Sequence, residues 1–436
     1  MATFGSMRHL SASAVARSQQ LNVKIVKDGI QIDGLADGSA RRSTLDNCRC
    51  SHCVNQDTTQ RNFDTYSISE DVCPSDIKSE KQGISVTCEP SESLTAHGDR
   101  LTTRTGEQDG HQSFYSWQFI KHYLQNDHRS PEQVKLTIAN IASYHFWGSD
   151  IGSRRPAVDY NHLMASEDES GIAKLTNLIR EYGFAFVDGT PFETPEPTQR
   201  VLERIAFIRE THYGGFYDFI PDLAMADTAY TNIALPAHTD TTYFTDPAGL
   251  QAFHMLSHEA PPGQERSKDG KLGGESLLVD AFHAARILLK EDPKAYEILS
   301  KVRLPWHASG NEGITISPDK RYPVLEVEEE TGKLHRVRWN NDDRGVVPFT
   351  KDVSPTEWYA AARKWDTILR RDDVEYWVQL KPGQVLIFDN WRVMHGRSAF
   401  EGRRRIAGAY INRDDFISRW RNTNFPREHV LNQVVG

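Results

Sequence analysis

The second half of the chain is a succession of short segments typical of β-strands, and no other feature of the sequence restricts its fold as strongly. Helical patterns do not alternate regularly with these segments, which argues against a doubly wound parallel sheet and favours an antiparallel sandwich or barrel such as a jelly roll. The segments are rich in β-branched and aromatic residues and are punctuated by Gly, Pro and Asp: LQAFHML, ESLLVD, HRVRWNN, EYWVQL, VLIFD and RIAGAYI.

Helices are predicted at three places around the strands. The motif SPTE at 354–357 combines a capping box with proline at the first helical position, and an apolar stripe follows it. A second helix is predicted over about 284–300, and a third ends at Gly183, where the apolar strand FAFVDG begins. The expected fold class is therefore mainly β with flanking helices.

The 436 residues are enough for two or three domains. We predict a flexible leader over 1–20, a small zinc-binding α+β domain over 21–128 and a jelly-roll domain over 129–436. The small domain contains the hairpin pattern VKIVKDGIQID. Residues 89–110 are polar with almost no large apolar side chains, as in a long surface loop.

Charge and cysteine content exclude several classes of protein. The net charge is −9, which is unfavourable for nucleic acid, and no apolar run approaches the length of a membrane span. Five cysteines, a small and odd number, fit a reducing compartment such as the cytoplasm. The leader carries Arg8 and Arg17 and no acid before Asp28, as in mitochondrial transit peptides, so the mitochondrial matrix is the alternative location.

The strongest chemical signal is His238-Thr239-Asp240. Residues two apart in a strand point to the same face, so the imidazole and the carboxylate converge. His395, in DNWRVMHGR just after the strand VLIFD, offers a third ligand if a jelly roll pairs the two distant strands. Two His and one carboxylate leave metal positions open, as in non-haem Fe(II) oxygenases. The alternative is coincidence, since the chain has 17 His and most histidines are structural.

A second signal is the basic strand that follows. Alternation places Arg404 on one face together with Ile406 and Tyr410, and Arg405 on the other. A guanidinium on the inner face can bind a dicarboxylate through a bidentate pair. The alternative is that residues 403–405 are a solvated basic run.

The chain resembles the Fe(II)/2-oxoglutarate dioxygenases of carnitine biosynthesis, and among them the members that act on trimethyllysine more than those that act on γ-butyrobetaine. The resemblance implies a jelly-roll (double-stranded β-helix) oxygenase. It implies hydroxylation of N6,N6,N6-trimethyl-L-lysine to the 3-hydroxy derivative, the first step of carnitine biosynthesis. It extends from about Leu45 to Trp420 and is carried by the Cys cluster and by IRETHYGGFYDF, DTAYTNIALPAHTDTTYF, GGESLLVD, VRWNNDDR, DNWRVMHGR and RRRIAGAY.

The resemblance also implies roles for individual residues. The triad of His238, Asp240 and His395 matches the iron ligands. Arg404 matches the residue that pairs with the far carboxylate of the co-substrate 2-oxoglutarate. Further co-substrate candidates are Ser276, which stands where relatives place a Thr hydroxyl, and Arg397.

Four tyrosines match an aromatic cage for the trimethylammonium group of the substrate. Such a group cannot donate hydrogen bonds and is bound by ring faces through cation–π attraction. Read without the resemblance, each tyrosine fits an ordinary core position equally well. The cage candidates are Tyr213, Tyr217, which replaces the usual Trp, Tyr230 and Tyr410.

Two polar positions bear on the choice of substrate. Trimethyllysine carries an α-ammonium that γ-butyrobetaine lacks, and a buried cation requires an anionic partner. Asp227 supplies a carboxylate where the butyrobetaine enzymes carry an amide. In RWNNDD, either Asn340 or Asn341 matches an Asn that contacts substrate. Alternation allows only one of them to face the site, and we favour Asn341.

The N-terminal motif CRCSHC offers three thiolates, from Cys48, Cys50 and Cys53. A tetrahedral Zn²⁺ site needs a fourth ligand. The resemblance implies His111, after Gly110, whereas His52 is the nearer rival, and free reduced thiols are the alternative. A closed zinc site would be structural and would stabilise a small domain with little core.

The resemblance finally implies a homodimer and L-ascorbate as reductant, with O2 and a trimethylammonium compound as small-molecule partners. Two other functions stay open: γ-butyrobetaine hydroxylation in the same fold, and a catalytically silent jelly roll that binds a betaine. The intact triad and Arg404 argue against the silent protein, because a binding module does not need iron ligands.

Overall fold

The chain divides into two compact units, residues 1–134 with 431–436 and residues 135–430. The predicted leader and nearly all of the predicted surface loop lie outside the described residues. No helix in the described part of the chain is long and apolar enough to cross a membrane. The computed structural model describes residues 22–26, 29–32, 39–40, 48–62, 64, 66, 73–89, 112–117, 119–120, 144–165, 168–220, 231–261, 272–329 and 331–434.

In the first unit the described strands form two small antiparallel sheets. The predicted hairpin is confirmed, because Val26 at the end of one strand pairs with Gly29 at the start of the next. Apolar residues of the two sheets, among them Ile32 and Val86, share one buried cluster. The sheets are β1 (Val23–Val26), β2 (Gly29–Ile32) and β3 (Ser39–Ala40), and β4 (Cys73–Ser79), β5 (Gly83–Glu89) and β6 (Gln112–Ser116).

The second unit is mainly β with flanking helices, as predicted. A 3-10 helix at Ser149–Arg154 precedes its first strand. A helix, Arg427–Val434, follows its last strand, and residues 431–434 of this helix are assigned to the first unit. The elements between them are β7 (Ala157–Asp159), α1 (Tyr160–Met164), α2 (Ser170–Tyr182), β8 (Phe184–Asp188), α3 (Glu196–Ile205), β9 (Ile208–Arg209), β10 (Tyr217–Phe219), β11 (Leu235–His238), β12 (Leu250–Glu259), β13 (Ser276–Asp280), α4 (Ala281–Glu291), α5 (Pro293–Lys301), β14 (Leu325–Val327), β15 (Leu334–Val337), α6 (Pro355–Leu369), β16 (Tyr376–Val378), β17 (Gln384–Asp389), β18 (Val393–Arg397), β19 (Arg403–Gly408), β20 (Tyr410–Ile411) and α7 (Arg413–Asn424).

Two sheets dominate this unit. The larger runs β10-β19-β12-β17-β8-β7, with β20 paired to β12 and β9. The smaller runs β11-β18-β13-β16. The pairs are antiparallel, as predicted, except for β7 with β8 at the edge of the larger sheet. This arrangement is consistent with a jelly roll.

Strand alternation distributes the apolar side chains between two layers of core. In β8, Phe184 and Phe186 join a cluster that also contains Leu278 of the smaller sheet, so this cluster lies between the sheets. Ala185 and Val187 face the other way and pack with residues of α2 and α3. The same period of two therefore builds the interior of the sandwich and the surface that the helices cover.

Helices α4, α5 and α6 cover the outer face of the smaller sheet. Leu277 and Val279 of β13 belong to one cluster with Trp358 and Trp365 of α6. The predicted capping box of α6 is confirmed: the Ser354 side chain accepts from the Glu357 N–H, and the Glu357 carboxylate accepts from the Ser354 N–H.

The helix predicted over 284–300 is wrong as a single element. α4 ends at Glu291 and α5 begins at Pro293, with Asp292 between them. Pro293 lacks the N–H that a continuing helix needs, and the Asp292 side chain accepts from Ala295 N and so caps a new helix.

A buried ion pair joins five segments of this unit. The Arg392 guanidinium donates from Nε and Nη2 to the Asp280 carboxylate, at 3.1 and 2.7 Å, and both side chains are buried. Arg392 also donates to the carbonyls of His145 and Glu181. Asp280 in turn caps α4 by accepting from the N–H of Phe282. The pair therefore links five segments: β13, α4, the turn before β18, the end of α2 and the segment at His145.

Asp280→Asn should lower the free energy of unfolding by roughly 3–5 kcal/mol, because it leaves the Arg392 charge buried without a counter-ion. Denaturant unfolding followed by circular dichroism measures the loss. Glu297→Gln, which removes the exposed ion pair with Lys301, is the control and should change the unfolding free energy little. Equal losses in the two variants would contradict the structural importance of the buried pair.

Candidate active site

The pairing of β11 with β18 brings His238 directly opposite His395. The two residues are register partners in the antiparallel ladder, and their ring centroids are 4.3 Å apart. His395 is buried and also packs against the rings of Phe388 and Phe253. The pairing of distant strands on which the sequence prediction depended is therefore present.

Asp240 completes the cluster from a position outside the strand. β11 ends at His238, so the strand alternation assumed from the sequence does not reach Asp240. Asp240 Oδ1 is nevertheless 3.2 Å from His238 Nε2, and Oδ2 is 3.8 Å from His395 Nε2. Ligand atoms of all three residues lie within 4.8 Å of one another.

The turn that places Asp240 is held by the side chain of Asn390. Asn390 Oδ1 accepts from Asp240 N at 2.8 Å, and Asn390 Nδ2 donates to Asp240 O at 2.9 Å. The next residue, Thr241, has a φ of +57°, an uncommon conformation for a β-branched residue. Its hydroxyl accepts from Ala248 N. These contacts direct the Asp240 carboxylate back towards the two imidazoles.

Burial and neighbouring charges shift the pKa values of all three residues. Burial opposes protonation of His238, but the hydrogen bond and the charge of Asp240 outweigh it and raise the pKa of His238. Burial, together with the neighbouring His238, lowers the pKa of His395 to about 3. Burial alone would raise the pKa of Asp240, but the charges of His395 and His238 and hydrogen bonds from His238 and Tyr410 lower it. The His238 ring is oriented by a hydrogen bond from Nδ1 to Pro236 O at 2.8 Å, which turns Nε2 towards Asp240. The donor set of two imidazoles and one carboxylate fits Fe(II).

A cavity of about 460 Å³ opens from this cluster. Side chains from both sheets line it, including Ser276 and Arg397, which are register partners in β13 and β18. Arg404 lines it from β19, whereas Arg405 points to the opposite face and pairs with Asp218, as alternation predicts.

Arg404 is a buried cation that faces the cavity. Only 5% of its surface is exposed, and its Nε has no hydrogen-bond partner among the described residues. Burial and the positive charge of Arg397 lower the pKa of Arg404 to about 10, so the guanidinium is charged at pH 7. Arg397 itself donates to the carbonyls of Thr231 and Ile233. Arg404 is therefore the better candidate of the two for binding an anion.

An aromatic wall lies on another side of the cavity. It is formed by Tyr213, Tyr217 and Tyr410, which all line the cavity. The ring centroids of Tyr217 and Tyr410 are 6.2 Å apart. The Tyr217 hydroxyl donates to Ala252 O at 2.7 Å, which orients its ring. Two further residues predicted for substrate binding, Tyr230 and Asp227, lie outside the described residues.

Comparisons with known proteins identify the family of this chain. A family model described as taurine catabolism dioxygenase TauD, TfdA family, matches residues 141–410. A trimethyllysine dioxygenase from Neurospora crassa is 54% identical over 98% of this chain and 91% of that protein. The chain belongs to the trimethyllysine dioxygenase family. The mitochondrial trimethyllysine dioxygenase of Bos taurus is 36% identical over 86% of this chain and 80% of its own. Among solved structures, a taurine dioxygenase from Burkholderia xenovorans has 15% identity and a TM-score of 0.43 over 61% of this chain and 89% of that one.

Membership of the trimethyllysine dioxygenase family confirms the prediction of a dioxygenase, but one predicted site residue has to be corrected. Asn340, and not Asn341, lines the cavity. β15 ends at Val337, so alternation cannot be extended to the turn that follows. Trp339 is tied to Thr239 by hydrogen bonds in both directions, which turns Asn340 inward. Asn341 Oδ1 instead accepts from Arg344.

Sequence reasoning missed two residues that contact Asp240. Gln251 donates to Asp240 Oδ2, and its position as an amide within the apolar strand LQAFHML was an available signal. Asn390 had no such signal, because nothing in the local sequence indicates that its amide contacts Asp240.

In the first unit, the three cysteines of the CRCSHC motif lie together. The sulfurs of Cys48, Cys50 and Cys53 are within 4.8 Å of one another, and all three cysteines are reduced. A tight turn, in which Cys53 N donates to Cys50 O, brings them close. Hydrogen bonding with Cys48 raises the pKa of Cys53. The predicted fourth ligand, His111, lies outside the described residues.

Proposed function

We propose that this protein is the Fe(II)- and 2-oxoglutarate-dependent enzyme that hydroxylates N6,N6,N6-trimethyl-L-lysine at C3, the first step of carnitine biosynthesis. The observation that carries the proposal is the meeting of His238, Asp240 and His395 at the wall of a cavity that also contains the buried guanidinium of Arg404. The N. crassa and bovine relatives are both named trimethyllysine dioxygenases, which supports the substrate.

The triad would hold Fe(II) through two imidazole nitrogens and one carboxylate oxygen. Iron bound there, with 2-oxoglutarate and O2, supplies the oxidising power for hydroxylation of a C–H bond. The protein's own contribution is to hold the co-substrate and the substrate carbon in place and to exclude bulk water from the cavity.

Arg404 would bind the far carboxylate of 2-oxoglutarate. A buried guanidinium without a counter-ion, which is the case for Arg404 among the described residues, is costly, and a bidentate carboxylate relieves that cost. The Ser276 hydroxyl, on the neighbouring wall, is a second contact to the co-substrate. Arg397 is a weaker candidate, because its guanidinium already binds backbone carbonyls.

The tyrosine wall would bind the trimethylammonium group. Tyr213, Tyr217 and Tyr410, with Tyr230 from the segment outside the described residues, supply ring faces for cation–π attraction. Asn340 then offers an amide to the polar end of the substrate. Asp227 would pair with the α-ammonium, the group that distinguishes trimethyllysine from γ-butyrobetaine.

We infer that the CRCSHC motif binds a structural Zn²⁺. Three sulfurs from Cys48, Cys50 and Cys53 lie within 4.8 Å of one another, and His111 would complete a tetrahedral site. Residues 21–128 would then be a zinc-binding domain. We propose that residues 129–436 are the jelly-roll oxygenase domain.

Family resemblance supports two further features of the proposal, a homodimer and L-ascorbate as reductant. The net charge of −9 disfavours nucleic acid as a partner, and the short apolar runs of the sequence disfavour a membrane. The names of mammalian relatives include the word mitochondrial, which favours the mitochondrial matrix over the cytoplasm for this protein.

Turnover tests the function directly. Iron-loaded protein with 2-oxoglutarate and O2 should convert trimethyllysine, and not γ-butyrobetaine, to a product heavier by one oxygen, with one succinate formed per hydroxylation. Mass spectrometry measures both products. Asp227→Asn should reduce the preference for trimethyllysine over γ-butyrobetaine. Hydroxylation of γ-butyrobetaine alone would overturn the substrate, and absence of succinate with either compound would favour the silent binding protein.

Arg404→Met should raise the KM for 2-oxoglutarate by roughly 30-fold or more, because loss of a buried charge pair costs about 2 kcal/mol or more and each 1.4 kcal/mol is tenfold. Initial rates at varied 2-oxoglutarate measure the change. Arg405→Met is the matched control, since the neighbouring guanidinium faces away from the cavity and pairs with Asp218. A similar KM in both variants would contradict the role of Arg404.

Zinc content tests the N-terminal site. Purified protein should contain about one equivalent of zinc by elemental analysis, and Cys50→Ser should lose it, because a closed site needs all four ligands. Cys88→Ser, a cysteine outside the motif, should retain the zinc. Wild-type protein that is fully folded without zinc would refute the site.

A further inference from the structure

The two oxygens of the Asp240 carboxylate have different surroundings. Oδ2 accepts two hydrogen bonds, from Gln251 Nε2 at 2.7 Å and from the Tyr410 hydroxyl at 2.9 Å. Oδ1 accepts neither of these and lies 3.2 Å from His238 Nε2. Oδ2 also lies 3.8 Å from His395 Nε2, so the carboxylate is held at Oδ2 and presents Oδ1 to His238.

The two donors come from one place in the larger sheet. Gln251 of β12 and Tyr410 of β20 are register partners across antiparallel strands, and both side chains are buried. Their side chains leave the sheet on the same face and converge on Asp240, which lies beyond the end of a strand in the smaller sheet. The pair thus joins the two sheets at the carboxylate.

This geometry restricts how Asp240 can bind a cation. A carboxylate oxygen has about two acceptor positions, and two donors on Oδ2 fill them. Oδ1 is left as the oxygen available to a metal that also contacts His238 and His395. Hydrogen bonds to an anionic acceptor inside a protein are strong, so a rotation that would offer both oxygens to the metal is opposed.

We propose that Gln251 and Tyr410 are positioning residues that hold Oδ2 of Asp240 and so leave Oδ1 as the single carboxylate oxygen offered to the metal. The inference rests on the proposed iron centre. It assigns to Tyr410 a role in addition to the cage: its ring faces the cavity as a surface for the substrate cation, while its hydroxyl acts on the metal ligand.

The two roles of Tyr410 can be separated by one substitution. Tyr410→Phe keeps the ring face and removes only the hydroxyl that donates to Asp240. Contacts of this kind to a metal ligand change metal affinity by about 10- to 100-fold. Titration of the iron-free full-length protein, with its zinc retained, with Co(II), followed by visible absorption, should show weaker binding by that factor and an altered spectrum of the bound ion.

Tyr217→Phe is the matched control. It also removes a hydroxyl from a cavity-lining tyrosine, but that hydroxyl donates to Ala252 O and not to Asp240. Its Co(II) affinity and Co(II) spectrum should be those of the wild type. Gln251→Met removes the other donor at similar size and should weaken Co(II) binding as Tyr410→Phe does, which tests the proposal even if one variant is poorly folded.

Three results would overturn the inference, and they differ in what else they overturn. Wild-type affinity and spectrum in both Tyr410→Phe and Gln251→Met would refute the positioning role and leave the iron centre intact. Equal weakening in Tyr410→Phe and Tyr217→Phe would show a general loosening of the cavity wall. Wild-type protein whose Co(II) binding is unaffected by His238→Ala would refute the iron centre and, with it, this inference.

Discussion

The antiparallel pairing of β11 with β18 is the contact on which the candidate site depends. It places His238 opposite His395 and makes β18 the strand between β11 and β13 in the smaller sheet. The turn that leads into β18 carries Arg392, whose buried pair with Asp280 joins that turn to β13 and α4. The same few residues therefore fix the position of β18 and hold the surrounding core together, so a buried charge pair supports the candidate metal ligands.

The cavity is organised by charge. The triad provides one carboxylate between two imidazoles, Arg404 provides a buried cation with an unpartnered Nε among the described residues, and the tyrosine wall provides ring faces. The buried guanidinium of Arg404 is complementary to a dicarboxylate. The ring faces of the tyrosine wall are complementary to a trimethylammonium group. Because burial strengthens electrostatic interactions, each surface discriminates more sharply than it would in water.

Strand alternation explains why one sequence pattern predicts both packing and chemistry. In β8 and β17 it sends alternate apolar residues to the layer between the sheets and to the layer under the helices. In β19 it sends Arg404 into the cavity and Arg405 to the pair with Asp218. Residues on a regular strand were therefore placed correctly from sequence, whereas Asn341, in a turn beyond β15, was not.

The sequence by itself determined the features that depend on near neighbours: the strand runs, the capping box at Ser354, the end of α2 at Gly183 and the presence of an H-x-D motif with a distant His. The break within 284–300 is also encoded locally, by the cap Asp292 and by Pro293 at the first helical position, although the pattern of apolar residues continues through them. Only the tertiary structure decided the orientation of the Asp240 carboxylate. Asn390, 150 residues away in the chain, binds the backbone of Asp240, and Gln251 and Tyr410 of the larger sheet bind its carboxylate. Local periodicity carries no information on hydrogen bonds between such distant segments, because they form only once the two sheets have packed.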